Sequence, residues 1–228
     1  MSAAVTHRAL FVTGTDTGIG KSVASAALLH AFRARGLRAV GMKPVASGCE
    51  WLQGGWRNED ALALQAASDP TPDYDDINPY ALEHPLAPEL AAADAGISIA
   101  LPPIVAAYAR LRAQADVVVV EGVGGWMAPL TAQLDQATLV NELGLSVVLV
   151  VGLRLGCINH ARLTARAIQA DGLHLAGWIA NEVDPSMARR DDNVEILRRV
   201  LPAPCWGRLP HAAQIDPARM AAGLSPGP

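Results

Sequence analysis

Val12-Thr13-Gly14-Thr15-Asp16-Thr17-Gly18-Ile19-Gly20-Lys21-Ser22 is the stretch on which the fold turns. The apolar run Ala9 to Val12 feeds it, and a helical pattern leaves it near Lys21. A strand, a glycine-rich turn and a helix in that order form a P-loop, because backbone N–H groups can wrap a phosphate only where side chains do not intrude. Lys21 is then placed to reach the β- and γ-phosphates of a nucleotide, and the Ser22 hydroxyl to coordinate Mg²⁺. The spacing is a variant: Gly14 stands one residue further from Gly20 than the standard pattern has it.

Outward from the loop, Val23, Ala27, Leu28, Ala31 and Phe32 recur three or four apart and predict a helix from Lys21 to about Arg35, closed by Gly36. A strand over Arg38 to Lys43 follows. Pro44 stops it and leaves Lys43 at its carboxyl edge beside the P-loop, where open α/β sheets bind ligands. A loop over 46–57 precedes a helix from about Asn58 to Ala67 with Asp60 in its first turn. The proline-rich segment 69–88 shows no periodicity and reads as an irregular crossover touching substrate or a partner subunit. Two helical patterns flank Pro102-Pro103, the second running to Gln114.

The unbroken run Val117-Val118-Val119-Val120-Glu121 predicts a parallel strand buried on both faces. Further strands are expected at Ser146 to Gly152, His174 to Asn181 and Cys205 to Leu209. Helices are expected from Asp135, over Cys157 to Asp171, over Ser186 to Leu201, and briefly after Pro210. Alternating strands and helices define an α/β chain: a single-domain, doubly wound, mostly parallel sheet with helices on both faces, of P-loop NTPase type, over residues 1–228.

Composition narrows the function. The chain has 228 residues, 51% of them hydrophobic and 18% charged, which suits one globular core and excludes extended disorder. Net charge is −4 with scattered arginines, against nucleic-acid binding. No apolar run is long enough to span a bilayer, and the polar N-terminus has no secretory pattern, so a cytoplasmic location without membrane attachment is expected. Three cysteines without paired spacing suit neither disulfides nor zinc.

Ser22, Asp60 and Glu121 all reach the carboxyl edge of such a sheet and form a hard oxygen set for Mg²⁺. Glu121 ends a buried strand, a costly place for an acid that is neither paired nor bound to metal. For Asp60, spacing alone leaves an ordinary first-turn carboxylate equally open. Lys21 and Lys43 are the only lysines, against sixteen arginines, and compact ammonium charges suit developing oxyanions. The turn Gly156-Cys157-Ile158-Asn159-His160 opens a helix whose N–H groups could take a carboxylate, and the amide of Asn181 could read an adenine edge.

Gly14 to Ser22, Lys43-Pro44-Val45-Ala46-Ser47-Gly48, Arg57-Asn58-Glu59-Asp60-Ala61-Leu62, Glu121-Gly122-Val123-Gly124-Gly125-Trp126, Leu155 to His160 and Ala176-Gly177-Trp178-Ile179-Ala180-Asn181 resemble the successive motifs of dethiobiotin synthetases, in order and up to about Pro210. The resemblance implies an ATP- and Mg²⁺-dependent enzyme of biotin synthesis that closes 7,8-diaminononanoate and CO₂ into the cyclic urea dethiobiotin, through a carbamate and a carbamic–phosphoric anhydride. It implies Lys43 and Lys21 as catalytic, and Ser22, Asp60 and Glu121 as the metal set. Nucleotide would be bound by Gly18, Ile19, Gly20, Lys21, Ser22, Val23, Asp60, Glu121, Gly122, Val123, Gly124, Asn181, Glu182, Pro210, His211 and Ala212. Thr17, Ser47, Gly124 and Gly125 would hold the substrate, with Cys157, Ile158 and Asn159 receiving its carboxylate across a homodimer interface.

The alternative class is a partitioning or septum-site ATPase, a switch that shares this fold. Those proteins carry an extra lysine early in the loop, where this chain has Thr15-Asp16-Thr17, and a basic patch or an amphipathic C-terminal helix.

Overall fold

The computed structural model describes residues 8–52 and 54–227. Six strands form its central sheet: β1 (Arg8–Gly14), β2 (Ala39–Met42), β3 (Val117–Glu121), β4 (Ser146–Gly152), β5 (Leu175–Asn181) and β6 (Cys205–Leu209). Their order is β6-β5-β4-β1-β3-β2, and every pairing is parallel. The chain leaves β1 toward β2 on one side, returns through β3, and then crosses β1 to build β4, β5 and β6 on the other. That reversal opens a crevice at the carboxyl ends of β1 and β3, where doubly wound sheets bind their ligands.

Period-two alternation builds the two helical layers. Leu10, Val12, Val117, Val119, Val148 and Val150 face one side, where they bury the apolar stripe of α1 (Lys21–Arg33) and Leu64 and Ala67 of α2 (Glu59–Ala67). Phe11, Val118, Val120, Val147, Leu149 and Val151 face the other side. There they meet α3 (Leu101–Gln114), α4 (Gln136–Leu143), α5 (Cys157–Ala170) and α6 (Arg190–Val200). The valines of β3 are all buried, each burial stabilising by about 1.5–3 kcal/mol. Among the described residues no helix is long and apolar enough to cross a membrane.

Local structure departs from the sequence expectation in four places. The strand expected over Arg38 to Lys43 ends at Met42, and Val45–Ser47 forms a separate strand beside Tyr80–Leu82. The expected loop after Ala46 contains the hairpin strands Glu50–Leu52 and Gly55–Arg57, held by edge-on packing of Trp51 and Trp56. The segment 69–88 is ordered by the short helix Tyr74–Ile77 and by that added strand; such short elements carry too few periods to be seen in sequence. The helix expected from Ser186 starts only at Arg190, because the Asp184 carboxylate accepts the Ser186 N–H and hydroxyl in a turn and Arg189 takes a left-handed conformation (φ 53°).

The C-terminal segment docks on β6. Gly207 bridges Leu224, and the Ser225 N–H donates to the Trp206 carbonyl at 2.6 Å. Gly207 has φ +145°, and a Cβ there would lie 2.1 Å from the Gly223 carbonyl oxygen, a backbone atom that cannot swing away. Gly207→Ala is therefore expected to cost about 2 kcal/mol or more by urea unfolding, with the segment after Pro217 becoming protease-sensitive; wild-type stability and protection would contradict this account of the docking.

Candidate active site at the carboxyl edge of the sheet

The P-loop joins β1 to α1, so the start of α1 points its free N–H groups into the crevice. Gly20 is its tightest point. It has φ +80°, and a Cβ would lie 2.2 Å from the Asn181 amide nitrogen. Asn181, at the end of β5, donates that amide to the Ile19 carbonyl at 2.7 Å and so ties the loop to the sheet. Asp16 organises the other flank: its carboxylate accepts the Thr17 N–H at 2.7 Å and an ion pair from Arg154. Its carbonyl accepts Lys21 Nζ at 3.0 Å.

The crevice is an open cleft of about 440 Å³. Its walls include Thr17, Gly18, Gly20, Lys21, Ser22, Val23, Lys43, Ser47, Asp60, Glu121, Val123 and Gly124, for which the family resemblance implies catalytic, nucleotide, metal or substrate roles. At its floor lies a buried charge cluster. Lys43 Nζ donates to Glu121 Oε1 at 2.6 Å, to Asp60 Oδ2 at 3.1 Å and to the Gly122 carbonyl at 3.3 Å. Ser22 Oγ donates to the same Glu121 oxygen at 2.8 Å. Glu121 Oε2 is buried without a hydrogen-bond partner.

These contacts set the protonation states. Burial works to lower the Lys43 pKa, but Glu121 and Asp60 outweigh it and the ammonium is held charged, with its pKa raised. Burial works to raise the Asp60 carboxyl, and Lys43, Ser22 and Lys21 outweigh it, so its pKa is lowered. Lys21 is lowered, first by burial and then by the nearby Lys43, against the pull of Glu121, Asp60 and Asp16. The cleft thus holds one lysine locked as a cation and a second whose charge an incoming anion would relieve.

Residues outside the expected site set hold these groups in place. Asn58 caps α2 through the Asp60 and Ala61 N–H groups, as an Asn before two acids can signal, and also reaches the Ser47 carbonyl at 3.3 Å. Asn78 donates to the Lys43 carbonyl at 2.7 Å and accepts the Tyr74 hydroxyl at 3.0 Å. The proline-rich segment therefore positions Lys43. Nothing local in the sequence marks Asn78.

Other assigned residues stand apart from the cleft. Glu182 is paired with Arg190 and Arg208, and its Oε2 accepts the His211 N–H at 3.4 Å. Pro210 and Ala212 border a separate hollow of about 790 Å³ along the C-terminal segment. Gly122 and Gly125 belong to the loop after β3, and Ile19 packs beneath the P-loop. Gly156 is left-handed (φ 94°) and starts α5, with Cys157 buried, Ile158 half-buried and Asn159 exposed. The neighbouring Leu155 is 94% exposed.

Phosphate-binding loop, paired lysines and strand-end acid at the switch point of a doubly wound sheet define a P-loop nucleotide-binding protein. Solved structures agree on the fold: a ParA family ATPase from Chlorobium tepidum is 12% identical over 96% of this chain and 91% of its own, with a TM-score of 0.58. The cell division protein MinD from Aquifex aeolicus is 17% identical over 94% and 87%, with a TM-score of 0.56. A family model described as an AAA domain matches residues 8–219. An ATP-dependent dethiobiotin synthetase from Xanthomonas euvesicatoria is 69% identical over 96% of this chain and 97% of its own length. One from Xylella fastidiosa is 66% identical over 96% and 97%. The chain belongs to the dethiobiotin synthetase family, within that AAA domain group.

Two substitutions test the charge cluster. Lys43→Met leaves Glu121 buried without its cation and is expected to cost roughly 3–5 kcal/mol in urea unfolding, while adding Glu121→Gln should recover most of that loss; equal losses in single and double variants would refute the coupling. A lysine whose folded pKa lies below its unfolded value opposes folding while charged. Lys21→Met should therefore leave the melting temperature of the free protein equal or higher, while removing the stabilisation of about 2.7 kcal/mol that nucleotide at a hundredfold excess over Kd gives the wild type.

Proposed function

We propose that this chain is an ATP-dependent dethiobiotin synthetase acting on 7,8-diaminononanoate and CO₂, as one domain, in the cytoplasm. The observation that carries the reading is Lys43, buried between Glu121 and Asp60 and opposite the P-loop lysine. The relatives that match over nearly the whole chain bear the synthetase name.

One substrate amine adds to CO₂ and loses a proton, giving a carbamate. A carbamate oxygen attacks the γ-phosphorus of ATP, and ADP leaves. The second amine then attacks the carbamoyl carbon of the mixed anhydride, and phosphate departs as the urea ring closes. Negative charge moves from carbamate to transferring phosphoryl to leaving phosphate, so the protein's task is placement and charge neutralisation. Lys21 follows the β- and γ-phosphates from the start of α1, while Lys43, its ammonium fixed by three acceptors on Glu121, Asp60 and Gly122, meets the developing charge from the opposite side. Thr17, Ser47, Gly124 and Gly125 hold the diamine and its carbamate.

The residues fit Mg²⁺. Ser22, Asp60 and Glu121 offer hard oxygens, and the buried Glu121 Oε2 lacks any other partner. Mg²⁺ takes the rest of its octahedral shell from phosphates and water. Bound there, Mg²⁺ would neutralise phosphate charge. Nucleotide would lie along Gly18 to Val23 and Gly122 to Gly124, its base toward Asn181, Glu182, Pro210, His211 and Ala212. Cys157, Ile158 and Asn159, outside the lining of this cleft and beside the exposed Leu155, would take the substrate carboxylate from the partner subunit of a homodimer.

Incubating the purified protein with diaminononanoate, bicarbonate and MgATP should yield dethiobiotin by mass spectrometry with equimolar ADP. Lys43→Ala, compared at equal folded concentration, should lose at least about 10²–10³-fold in turnover. ATP hydrolysis that ignores the diamine and yields no dethiobiotin would sink the reading.

A further inference from the structure

Gln136, the first residue of α4, is 1% exposed and is not part of the assigned cleft. Its side-chain Nε2 lies 2.5 Å from the Gly125 carbonyl oxygen and 3.0 Å from that of Val123, with the Ala128 and Trp126 oxygens at 3.3 and 3.4 Å. One amide nitrogen has two hydrogens, so the two short contacts are the strong ones and the outer pair share them. Gln136 Oε1 is buried without a partner and sits against Gly122, where a Cβ would come within 2.2 Å. A single buried amide thus gathers four carbonyls of the glycine loop that follows β3.

That gathering fixes the opposite ends of the peptide units. In a planar trans peptide the C=O of one residue and the N–H of the next point in opposite directions. Turning the Val123 and Gly125 carbonyls onto Gln136 aims the Gly124 and Trp126 N–H groups away from it. Among the described residues, the Val123, Gly124, Gly125 and Trp126 N–H groups donate to no acceptor. Val123 and Gly124 line the cleft, and Lys43 Nζ is held against the Gly122 carbonyl at its edge. The loop is also anchored from behind, where Trp126 Nε1 donates to Asp171 at 2.7 Å.

We propose that Gln136 is a positioning residue of the reaction: by binding the Val123 and Gly125 carbonyls it turns the Gly124 N–H toward an oxyanion held in the cleft. This builds on the synthetase reading, in which the oxyanion is a carbamate oxygen or a phosphoryl oxygen of ATP. Gln136 itself touches neither, and its effect passes entirely through the loop backbone.

The test compares wild type with Gln136→Met, which keeps the size but removes the donor, and Gln136→Glu, which keeps size and polarity but turns oxygens toward the carbonyls. Melting temperature gives the folded fraction. Steady-state kinetics give kcat and KM for diaminononanoate and MgATP separately, and calorimetric titration gives MgATP affinity. The proposal expects both variants to lose roughly 10- to 100-fold in kcat/KM per folded molecule, Glu more than Met. A rise confined to the diamine KM or to kcat assigns the oxyanion to the carbamate; a parallel loss of MgATP affinity assigns it to the phosphoryl group. Variants that melt lower yet keep wild-type kcat and KM per folded molecule would overturn the proposal, since Gln136 would then serve stability alone. If the wild type makes no dethiobiotin, the reaction reading fails instead, and an unchanged MgATP affinity in Gln136→Met would then overturn the positioning role as well.

Discussion

A lysine ammonium buried between two carboxylates is the constraint around which this protein is arranged. Lys43 is 4% exposed and Glu121 is fully buried. Neither charge is tolerable there alone, because desolvation costs several kcal/mol per ion. Their mutual attraction, with Asp60 and the Ser22 hydroxyl, offsets that cost only when β2, β3, the P-loop and α2 are all in register. The charge cluster therefore ties the binding cleft to the correct assembly of four separate elements.

Around that cluster, backbone groups form much of the wall. The P-loop presents N–H groups at the start of α1, and in the loop after β3 the Val123 to Trp126 N–H groups have no acceptor among the described residues. Polar side chains of ordinary type act on these loops from outside: Asn181 on the P-loop, Asn78 on Lys43, Asn58 on Ser47 and Gln136 on the glycine loop. Each is an amide bonded to backbone, which fixes geometry without adding charge. Preorganisation of this kind suits phosphoryl transfer, where donors must already be in place as negative charge moves.

The fold is shared with a ParA family ATPase and with the cell division protein MinD, whose likeness here extends only to architecture. The distinctive chemistry of this chain lies in its cleft: a loop with no lysine between Gly14 and Lys21, and a second lysine held by the acid ending β3 and an acid in the first turn of α2. Function resides in that local chemistry and not in the sheet that carries it.

The sequence by itself determined the sheet and most of the cleft. Val117 to Glu121 and Ser146 to Gly152 read as buried parallel strands because unbroken apolar runs can lie only between two helical layers, and the glycines before Lys21 read as a phosphate loop because their backbone conformation admits little else. Ser22, Lys43, Asp60 and Glu121 were legible because each ends or begins an element at the same edge. Tertiary structure alone decided the rest. That Lys43 sits between Asp60 and Glu121, that Asn78 of a proline-rich crossover holds its backbone, and that Gln136 gathers four carbonyls of a loop at least eight residues upstream depend on contacts between distant segments. Such contacts leave no periodicity and no local composition, since an amide reaching across space to a backbone carbonyl asks nothing of its sequence neighbours.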